Sequence, residues 1–408
     1  MPLILPFRGL RPTPGHAAAV AAPPYDVLSS AEARAMVAGK PWSFLHISKP
    51  EIDLPAGIDI HSPAVYAKAA ENLAHMQDAG ILARDVQPCY YAYRLTMGDH
   101  VQTGLVAAAS VAAYDANRIR RHEFTRPDKE DDRVRQIEAL NAQTGPVLLA
   151  YPHAPQADAL IKEATAGAPD ADLTAADGVG HALWSVRETA AIERITAAFA
   201  AMPALYIADG HHRSAAASRV ATARRGATET MTDYFLAVIF PHHQMKIMDY
   251  NRVVKDLRGQ DEAGFLARVA ERHTVTPSRH AVHPAHAGAC GLYLPGRWFS
   301  VAIKPEFVPV QDPVARLDVS LLSDHLLGPV LGITDLRRDK RIDFVGGIRG
   351  LAELERRVDS GEMAVAFAMH ATSMDDLMAV ADSHQVMPPK STWFEPKLAD
   401  GLVSHVLD

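Results

Sequence analysis

The feature that most constrains the fold of this chain is an apolar segment that ends abruptly at a glycine. Residues 204–208 read Ala-Leu-Tyr-Ile-Ala, and residues 209–213 read Asp-Gly-His-His-Arg. An alanine-rich segment with helical spacing follows directly. The apolar run predicts a buried strand, and the glycine permits a sharp bend into the helix. Because the first turn of a helix carries backbone N–H groups without internal partners, this junction predicts an anion-binding turn.

The side chains at this turn favour phosphate chemistry. Arg213 can hold phosphate oxygens with two N–H groups, and His211 and His212 can donate hydrogen bonds or titrate near neutrality. Gly210 allows the backbone to approach a ligand closely, and Asp209 would orient a histidine or help to position a metal ion. The alternative interpretation makes Asp209 a helix N-cap and the two histidines partly buried polar residues. We favour the phosphate site, because four polar side chains at one turn are costly to place unless they are used.

A second group of candidate residues lies in the charge-dense segment 122–133. Glu123, next to His122, is the candidate general base of a reaction, with His122 as its catalytic neighbour. The alternative is a solvated charged loop that caps the helix after it. The remaining charged residues are candidates for Mg²⁺ or phosphate: Asp128 and Asp132 for the metal ion, and Arg126 and Arg133 for phosphate groups.

A third candidate site is the tail segment Met387-Pro-Pro-Lys-Ser-Thr392. Two prolines would make this loop rigid, so that it presents Lys390, Ser391 and Thr392 to a nucleotide phosphate. The segment lacks the glycine pattern of a P-loop, which rejects a Walker-A assignment. Packing of the tail is an equally weighted alternative.

Local signals elsewhere predict a mixed α/β chain of the α+β class. Ser29 and Glu32 have capping-box spacing, and Ser62 followed by Pro63 begins a helix that ends near Gly80. Gly98-Asp99 separates two alternating segments and predicts a hairpin turn. Further buried strands are expected at 147–151 and 235–240.

Length and composition set the organisation and exclude several classes of partner. A chain of 408 residues predicts two or three domains, which we place at 1–115, 116–257 and 258–408. The net charge of −7 argues against nucleic acid as a partner, and no apolar run is long enough to span a membrane. Two cysteines without pairing signals, and a start unlike a signal peptide, predict a cytoplasmic protein. The oligomeric state stays open, a homodimer included.

Over nearly its full length the chain resembles an uncharacterised bacterial and archaeal domain-of-unknown-function family. The resemblance is carried by five segments: 6–12, 23–27, 122–125, 208–213 and 387–392. The family supplies no reaction.

A second, local resemblance is more informative about function. Residues 207–213 are similar to the nucleotide-phosphate motif of the ParB/sulfiredoxin superfamily, which includes free-serine kinases. Those kinases carry an Asp-Gly-His-His-Arg turn and an upstream His-Glu pair whose glutamate is the base. In this chain, His122-Glu123 and Asp209–Arg213 match these two elements in the same order. The intervening segment is longer here, so an insertion is assumed. The resemblance implies a ParB/sulfiredoxin-like core within residues 116–257, ATP or ADP as nucleotide, Mg²⁺, and an amino acid as substrate.

The leading hypothesis is therefore a nucleotide-dependent phosphotransferase that acts on a small hydroxyl substrate, with free L-serine as the candidate acceptor. One alternative is a phosphatase or nucleotide hydrolase that uses the same turn with water. The other is a nucleotide-gated binding protein without catalytic activity. The turn carries no cysteine, which removes sulfiredoxin chemistry, and no DNA-reading helix-turn-helix is evident.

Overall fold

The strand, turn and helix predicted around residue 210 are present in the computed structural model, which describes residues 1–408. The strand is Leu205–Asp209 and the helix is His211–Arg224. Gly210 between them has φ 98°, a left-handed conformation that side-chain-bearing residues rarely adopt. Ala216 and Ala217 are fully buried, so their small side chains allow the helix to pack closely.

The α+β chain divides into two compact units, and the first of them is discontinuous. It comprises Met1–Met245 together with Pro396–Asp408, whereas the second is Lys246–Glu395. The division into 1–115, 116–257 and 258–408 stays a prediction. None of the helices combines the length and the apolar character that crossing a membrane requires.

The first unit contains nine helices, numbered in chain order: α1 Ala17–Val20, α2 Ser30–Met36, α3 Leu45–Ser48, α4 Pro63–Asp78, α5 Val111–Asp115, α6 Pro127–Leu140, α7 Pro155–Ala164, α8 Thr189–Ala200 and α9 His211–Arg224. It also contains thirteen strands, numbered in the same way: β1 Ile4–Leu5, β2 Gly9–Pro12, β3 Leu82–Arg84, β4 Tyr90–Met97, β5 His100–Ser110, β6 Ile119–Arg120, β7 Ala142–Gln143, β8 Val147–Tyr151, β9 Ala171–Thr174, β10 Gly180–Val186, β11 Leu205–Asp209, β12 Tyr234–Pro241 and, from the end of the chain, β21 Ser404–Val406.

A mixed nine-stranded sheet places the glycine turn. Its strand order is β6-β11-β8-β12-β5-β4-β10-β9, with β1 paired to β5. β11 runs parallel to β6 and antiparallel to β8, whereas β8 runs parallel to β12. The centre of the sheet is fully buried, since every residue of β8 and β12 is buried. The buried strand β11 lies within this sheet, and the turn before α9 begins at its carboxyl end.

Local sequence signals also predicted the ends of other elements. Ser29 and Glu32 form the reciprocal capping box before α2. Helix α4 begins at Pro63 after Ser62 and ends at Asp78, close to the predicted Gly80. Strands β4 and β5 pair from Met97 and His100 outward, around the predicted turn. These elements form where residue type and spacing agree, as for the strand-to-helix turn.

A smaller antiparallel sheet joins distant parts of the first unit. Its strand order is β3-β2-β21-β7, so that β21 lies between β2 and β7. Gly9 pairs with His405, and His405 pairs with Gln143. The end of the chain is thus an internal strand of this sheet.

The second unit is built on a six-stranded antiparallel sheet in the order β15-β17-β16-β19-β14-β18, beside a β13-β20 pair. Its strands are β13 Lys246–Met248, β14 Tyr250–Val254, β15 His273–Ser278, β16 Ala289–Leu294, β17 Arg297–Ile303, β18 Ile342–Gly346, β19 Val365–Met369 and β20 Trp393–Glu395. Its helices are α10 Glu262–Arg272, α11 Asp318–Leu322, α12 Gly350–Asp359 and α13 Met374–Asp382.

The conformation of Gly210 predicts the effect of a substitution there. A Cβ at this position would meet the Val147 Cα at 3.3 Å, and φ 98° is strained for alanine. We expect Gly210→Ala to lower the free energy of unfolding by about 1–2 kcal/mol, measured by chemical denaturation. Gly226→Ala is the matched control, because Gly226 has open space around it and no left-handed φ. Its effect should stay within about 0.5 kcal/mol. Equal losses in both variants would contradict a special role for the turn.

Candidate functional site

Hydrogen bonds made by the Gly210 backbone close the turn between β11 and α9. The Gly210 N–H donates to Asp209 Oδ1 at 2.8 Å. The Gly210 carbonyl accepts from the N–H groups of Arg213 and Ser214, at 2.9 and 3.0 Å. The carbonyl is thus used inside the helix, whereas the first-turn N–H groups of His211 and His212 have no intrahelical acceptor. The positive end of the α9 dipole lies at this position.

The structure brings Glu123 to this turn. Glu123 Oε2 lies 3.8 Å from His211 Nδ1, and the Glu123 side chain is 47% exposed whereas that of His211 is 3% exposed. The His122 backbone N–H donates to His211 Nε2 at 3.4 Å. Because Nε2 accepts, the proton of the neutral His211 ring is on Nδ1 and points toward Glu123. A buried imidazole thus lies beside a solvent-accessible carboxylate.

The imidazoles at the site are held in the neutral form. Burial lowers the pKa of His122 to about 4. Burial, and then the neighbouring His122, lower the pKa of His211 well below its usual range. The two rings are perpendicular, with centroids 4.5 Å apart. A pair of neutral imidazoles packs in this way without the repulsion that two imidazolium ions would experience.

His212 is the more accessible histidine of the turn. Its Nε2 accepts from the Arg126 backbone N–H at 3.1 Å, which leaves the ring proton on Nδ1. Burial also lowers the pKa of His212. The ring is half-buried, so it presents one N–H donor at the N-terminus of α9.

Asp209 has a cationic partner that the sequence did not indicate. Lys397 Nζ lies 4.0 Å from Asp209 Oδ2. Burial would raise the pKa of Asp209, but Lys397 and Arg213 outweigh burial and lower it. The carboxylate is therefore ionised. Because 188 positions separate Lys397 from Asp209 in the chain, no local pattern could have linked them.

Arg213 is buried in a network of its own. Its Nη2 donates to Asp26 Oδ2 and its Nη1 to the Pro146 carbonyl, both at 2.8 Å. Burial opposes the charge, but Asp26 and Tyr25 raise the pKa of Arg213 well above its usual range. Its guanidinium lies 5.5 Å from the centre of the Tyr25 ring. The sequence contained one signal for the ion pair between Arg213 and Asp26: residues 23–26 belong to a segment that carries the family resemblance.

The four residues predicted to bind metal and phosphate, in and next to helix α6, form two ion pairs with each other. Arg133 Nη2 lies 2.6 Å from Asp132 Oδ2, and Arg126 Nη2 lies 2.7 Å from Asp128 Oδ2. Asp132 also accepts from the Tyr66 hydroxyl. No group of three or more His, Cys, Asp or Glu side chains is arranged to hold a metal ion. Asp128 and Asp132 therefore do not fit the Mg²⁺ site predicted for them, because their oxygens already accept from arginine.

The tail residues Lys390, Ser391 and Thr392 belong to the second unit. Arg252, which is fully buried there, donates from Nη2 to the Lys390 carbonyl at 2.9 Å. Ser391 Oγ donates to the Pro388 carbonyl at 2.7 Å. These contacts order the loop from within the unit, and phosphate binding by its side chains stays a prediction.

The family of the chain follows from its sequence. The sequence model of the family DUF1015, described as a protein of unknown function, matches residues 4–320. The chain belongs to this family. Among curated proteins none matches the chain in sequence.

Several solved structures are similar to the DUF1015 chain at low sequence identity. A free serine kinase in complex with AMP is 14% identical, with 73% of this chain and 92% of that chain covered at a TM-score of 0.36. A conserved hypothetical protein from Pyrococcus furiosus is 15% identical over 73% and 94%, with a TM-score of 0.36. SbnI from Staphylococcus aureus is 10% identical over 73% and 86%, again at 0.36. Likeness at this level does not carry an activity from one protein to another.

The depressed pKa of His122 predicts a pH dependence of stability in this DUF1015 chain. The folded state keeps His122 neutral down to about pH 4, whereas the unfolded state binds a proton near pH 6.5. The contribution of neutral His122 to the free energy of unfolding is therefore complete above pH 6.5 and is lost as pH falls toward 4. Between pH 7 and pH 5 this one group accounts for about 2 kcal/mol of lost unfolding free energy.

Chemical denaturation of the wild type and His122→Gln at pH 7 and pH 5 measures this contribution. The variant should lose about 2 kcal/mol less than the wild type over the same interval. His153→Gln, at an exposed position, is the control and should retain the full pH dependence. Identical pH dependence in wild type and His122→Gln would contradict a buried, neutral His122.

Proposed function

We propose that this protein is a nucleotide-dependent phosphotransferase that moves a phosphoryl group from ATP or ADP to the hydroxyl of a small substrate, with free L-serine as the acceptor. The observation that carries the proposal is the half-exposed Glu123 carboxylate 3.8 Å from His211, at the N-terminus of α9. A general base and an anion-binding helix end are two of the groups that enzymes use for phosphoryl transfer to a hydroxyl. The resemblance of residues 207–213 to a nucleotide-phosphate motif supports the same function.

Glu123 acts as the general base in this mechanism. It takes the proton of the acceptor hydroxyl while the new O–P bond forms and the bond from phosphorus to the leaving nucleotide breaks. His211 is a positioning residue, because its Nδ1–H faces the carboxylate and its Nε2 is fixed by the His122 backbone. The Glu123 side chain is 47% exposed, so a substrate can reach the carboxylate.

The donor phosphates bind at the first turn of α9. The N–H groups of His211 and His212 and the His212 Nδ1–H supply hydrogen-bond donors, and the helix dipole favours negative charge there. Gly210 lets phosphate oxygens come close to the backbone, because it has no side chain. These donors are fixed before the substrate binds, which is the condition for electrostatic stabilisation of charge in the transition state.

No step of this mechanism runs through a metal ion. Asp128 and Asp132 were the residues assigned to Mg²⁺, and both accept hydrogen bonds from arginine. Asp209 has Lys397 as its cationic partner, and its carboxylate accepts from the Gly210 N–H at 2.8 Å.

The roles of base and phosphate turn are separable by mutation. We expect Glu123→Gln to keep nucleotide affinity within about twofold and to lower phosphoserine formation by about 10²–10⁴, the range for loss of a general base. Nucleotide affinity is measured by calorimetry, and phosphoserine is measured with L-serine and ATP or ADP. Glu193→Gln is the matched control, because Glu193 is an exposed carboxylate on α8 and should retain full activity.

Three outcomes would contradict the proposal in different ways. Undiminished turnover in Glu123→Gln would remove the base. Release of phosphate to water without an acceptor product would indicate a nucleotide hydrolase. Tight nucleotide binding without any turnover, across a panel of hydroxyl acceptors, would indicate a nucleotide-gated binding protein.

A further inference from the structure

A cavity in the first unit begins next to the glycine turn. Polar lining comes from helices α3, α6 and α9, from the loop before β8, and from two segments near opposite ends of the sequence. The polar residues that matter here are Tyr25, Ser48, Arg133, Thr144, Arg213 and Asp400. The Ala22 and Asp400 backbones pair through two hydrogen bonds, of 3.1 and 2.9 Å, which fixes the carboxylate beside Tyr25. The cavity is therefore built from ordered backbone.

Buried polar atoms without partners lie on the wall of this cavity. They are Arg213 Nε, Asp400 Oδ2 and Ser48 Oγ, and none has a hydrogen-bond partner in the chain. All three residues are at least nine-tenths buried. Buried polar atoms are normally hydrogen-bonded, since each one left alone costs on the order of 1–3 kcal/mol. A donor, a carboxylate oxygen and a hydroxyl left without partners around one cavity indicate that a polar ligand satisfies them.

The charges around the cavity restrict what this ligand is. The Arg133 charge is balanced by Asp132 and the Arg213 charge by Asp26, at 2.6 and 2.8 Å. Asp400 is a third carboxylate without a salt-bridge partner of its own. Burial raises its pKa to about 7, although Arg213 and Arg133 act in the opposite direction. A ligand with only a carboxylate would place a second uncompensated negative charge beside Asp400, which disfavours a simple acid.

Arg213 Nε, a donor without a partner, and Asp400 Oδ2, an acceptor without a partner, bind different chemical groups. Arg213 Nη1 and Nη2 each already donate, to the Pro146 carbonyl and to Asp26, whereas Nε is the guanidinium nitrogen without any hydrogen-bond partner. An arginine N–H binds a carboxylate strongly, and a carboxylate oxygen such as Asp400 Oδ2 binds an ammonium group. The two groups together match a molecule that carries both charges on a short backbone.

We propose that this cavity binds a free α-amino acid, whose carboxylate accepts from Arg213 Nε and whose ammonium donates to Asp400 Oδ2. The identification of this cavity as the acceptor site of an enzyme rests on the phosphotransferase function proposed above. Arg213 lies on the first turn of α9, directly after His211 and His212, so one turn would hold the nucleotide phosphates on one side and the amino acid on the other. Binding of the amino acid itself requires neither nucleotide nor turnover.

Calorimetry at pH 8 without nucleotide tests the site on the wild-type chain. The probes are L-serine and L-alanine, which share the zwitterionic backbone, and glycerate and ethanolamine, which lack the ammonium and the carboxylate of serine. We expect both amino acids to bind and each one-charge analogue to bind at least about tenfold more weakly, because it leaves a buried group unpaired. Equal binding of glycerate would show a simple anion site, and absence of binding by both amino acids would also overturn the proposal.

A variant separates this proposal from the catalytic one. Asp400→Asn should weaken L-serine binding at least about tenfold and leave nucleotide affinity unchanged, with thermal unfolding as the check that the variant folds. Binding of L-serine and L-alanine without phosphoserine formation would sustain the cavity and refute the kinase function. Phosphoserine formation with an unchanged KM for L-serine in Asp400→Asn would sustain the function and refute this cavity as the acceptor site.

Discussion

The buried guanidinium of Arg213 is the interaction on which the candidate site depends. It binds Asp26 and the Pro146 carbonyl at 2.8 Å each, and so joins α9 to the segment before β8 and to the Pro-Pro-Tyr-Asp turn. A buried charge deprived of its partner costs about 3–5 kcal/mol, so this bond is a strong constraint on the three segments. Their positions in turn set the Gly210 turn, the histidines that follow it and the wall of the cavity.

Residue type and spacing predicted the strand, the turn and helix α9, because each depends on interactions between near neighbours. The His-Glu pair, which resembles that of a known motif, also singled out Glu123, and the structure places this residue beside the turn. Its role as a base stays a prediction. The partners Asp26, Lys397 and Asp400 were missed as site residues. Each reaches the turn through tertiary contacts across roughly 190 positions, and no periodicity or capping signal records such a contact.

Charge density was a weaker guide to function than backbone geometry. Segment 122–133 offered four residues for metal and phosphate, but Arg126 pairs with Asp128 and Arg133 with the adjacent Asp132. A sequence shows which charges are present and not which of them neutralise one another. The turn itself offers an anion backbone N–H groups and neutral imidazoles. Their strength as donors comes from burial and fixed orientation rather than from net charge.

The interrupted course of the first unit has a consequence for how the chain is made. Strand β21 lies between β2 and β7, and Lys397 and Asp400 complete the surroundings of the turn. Synthesis proceeds from the N-terminus, so the second unit emerges from the ribosome before the first has received its last strand. Contacts of such long sequence separation form slowly. During translation, β2 and β7 therefore present unpaired edges until residues 404–406 arrive, and that interval is when a chaperone or a misplaced strand has access to them.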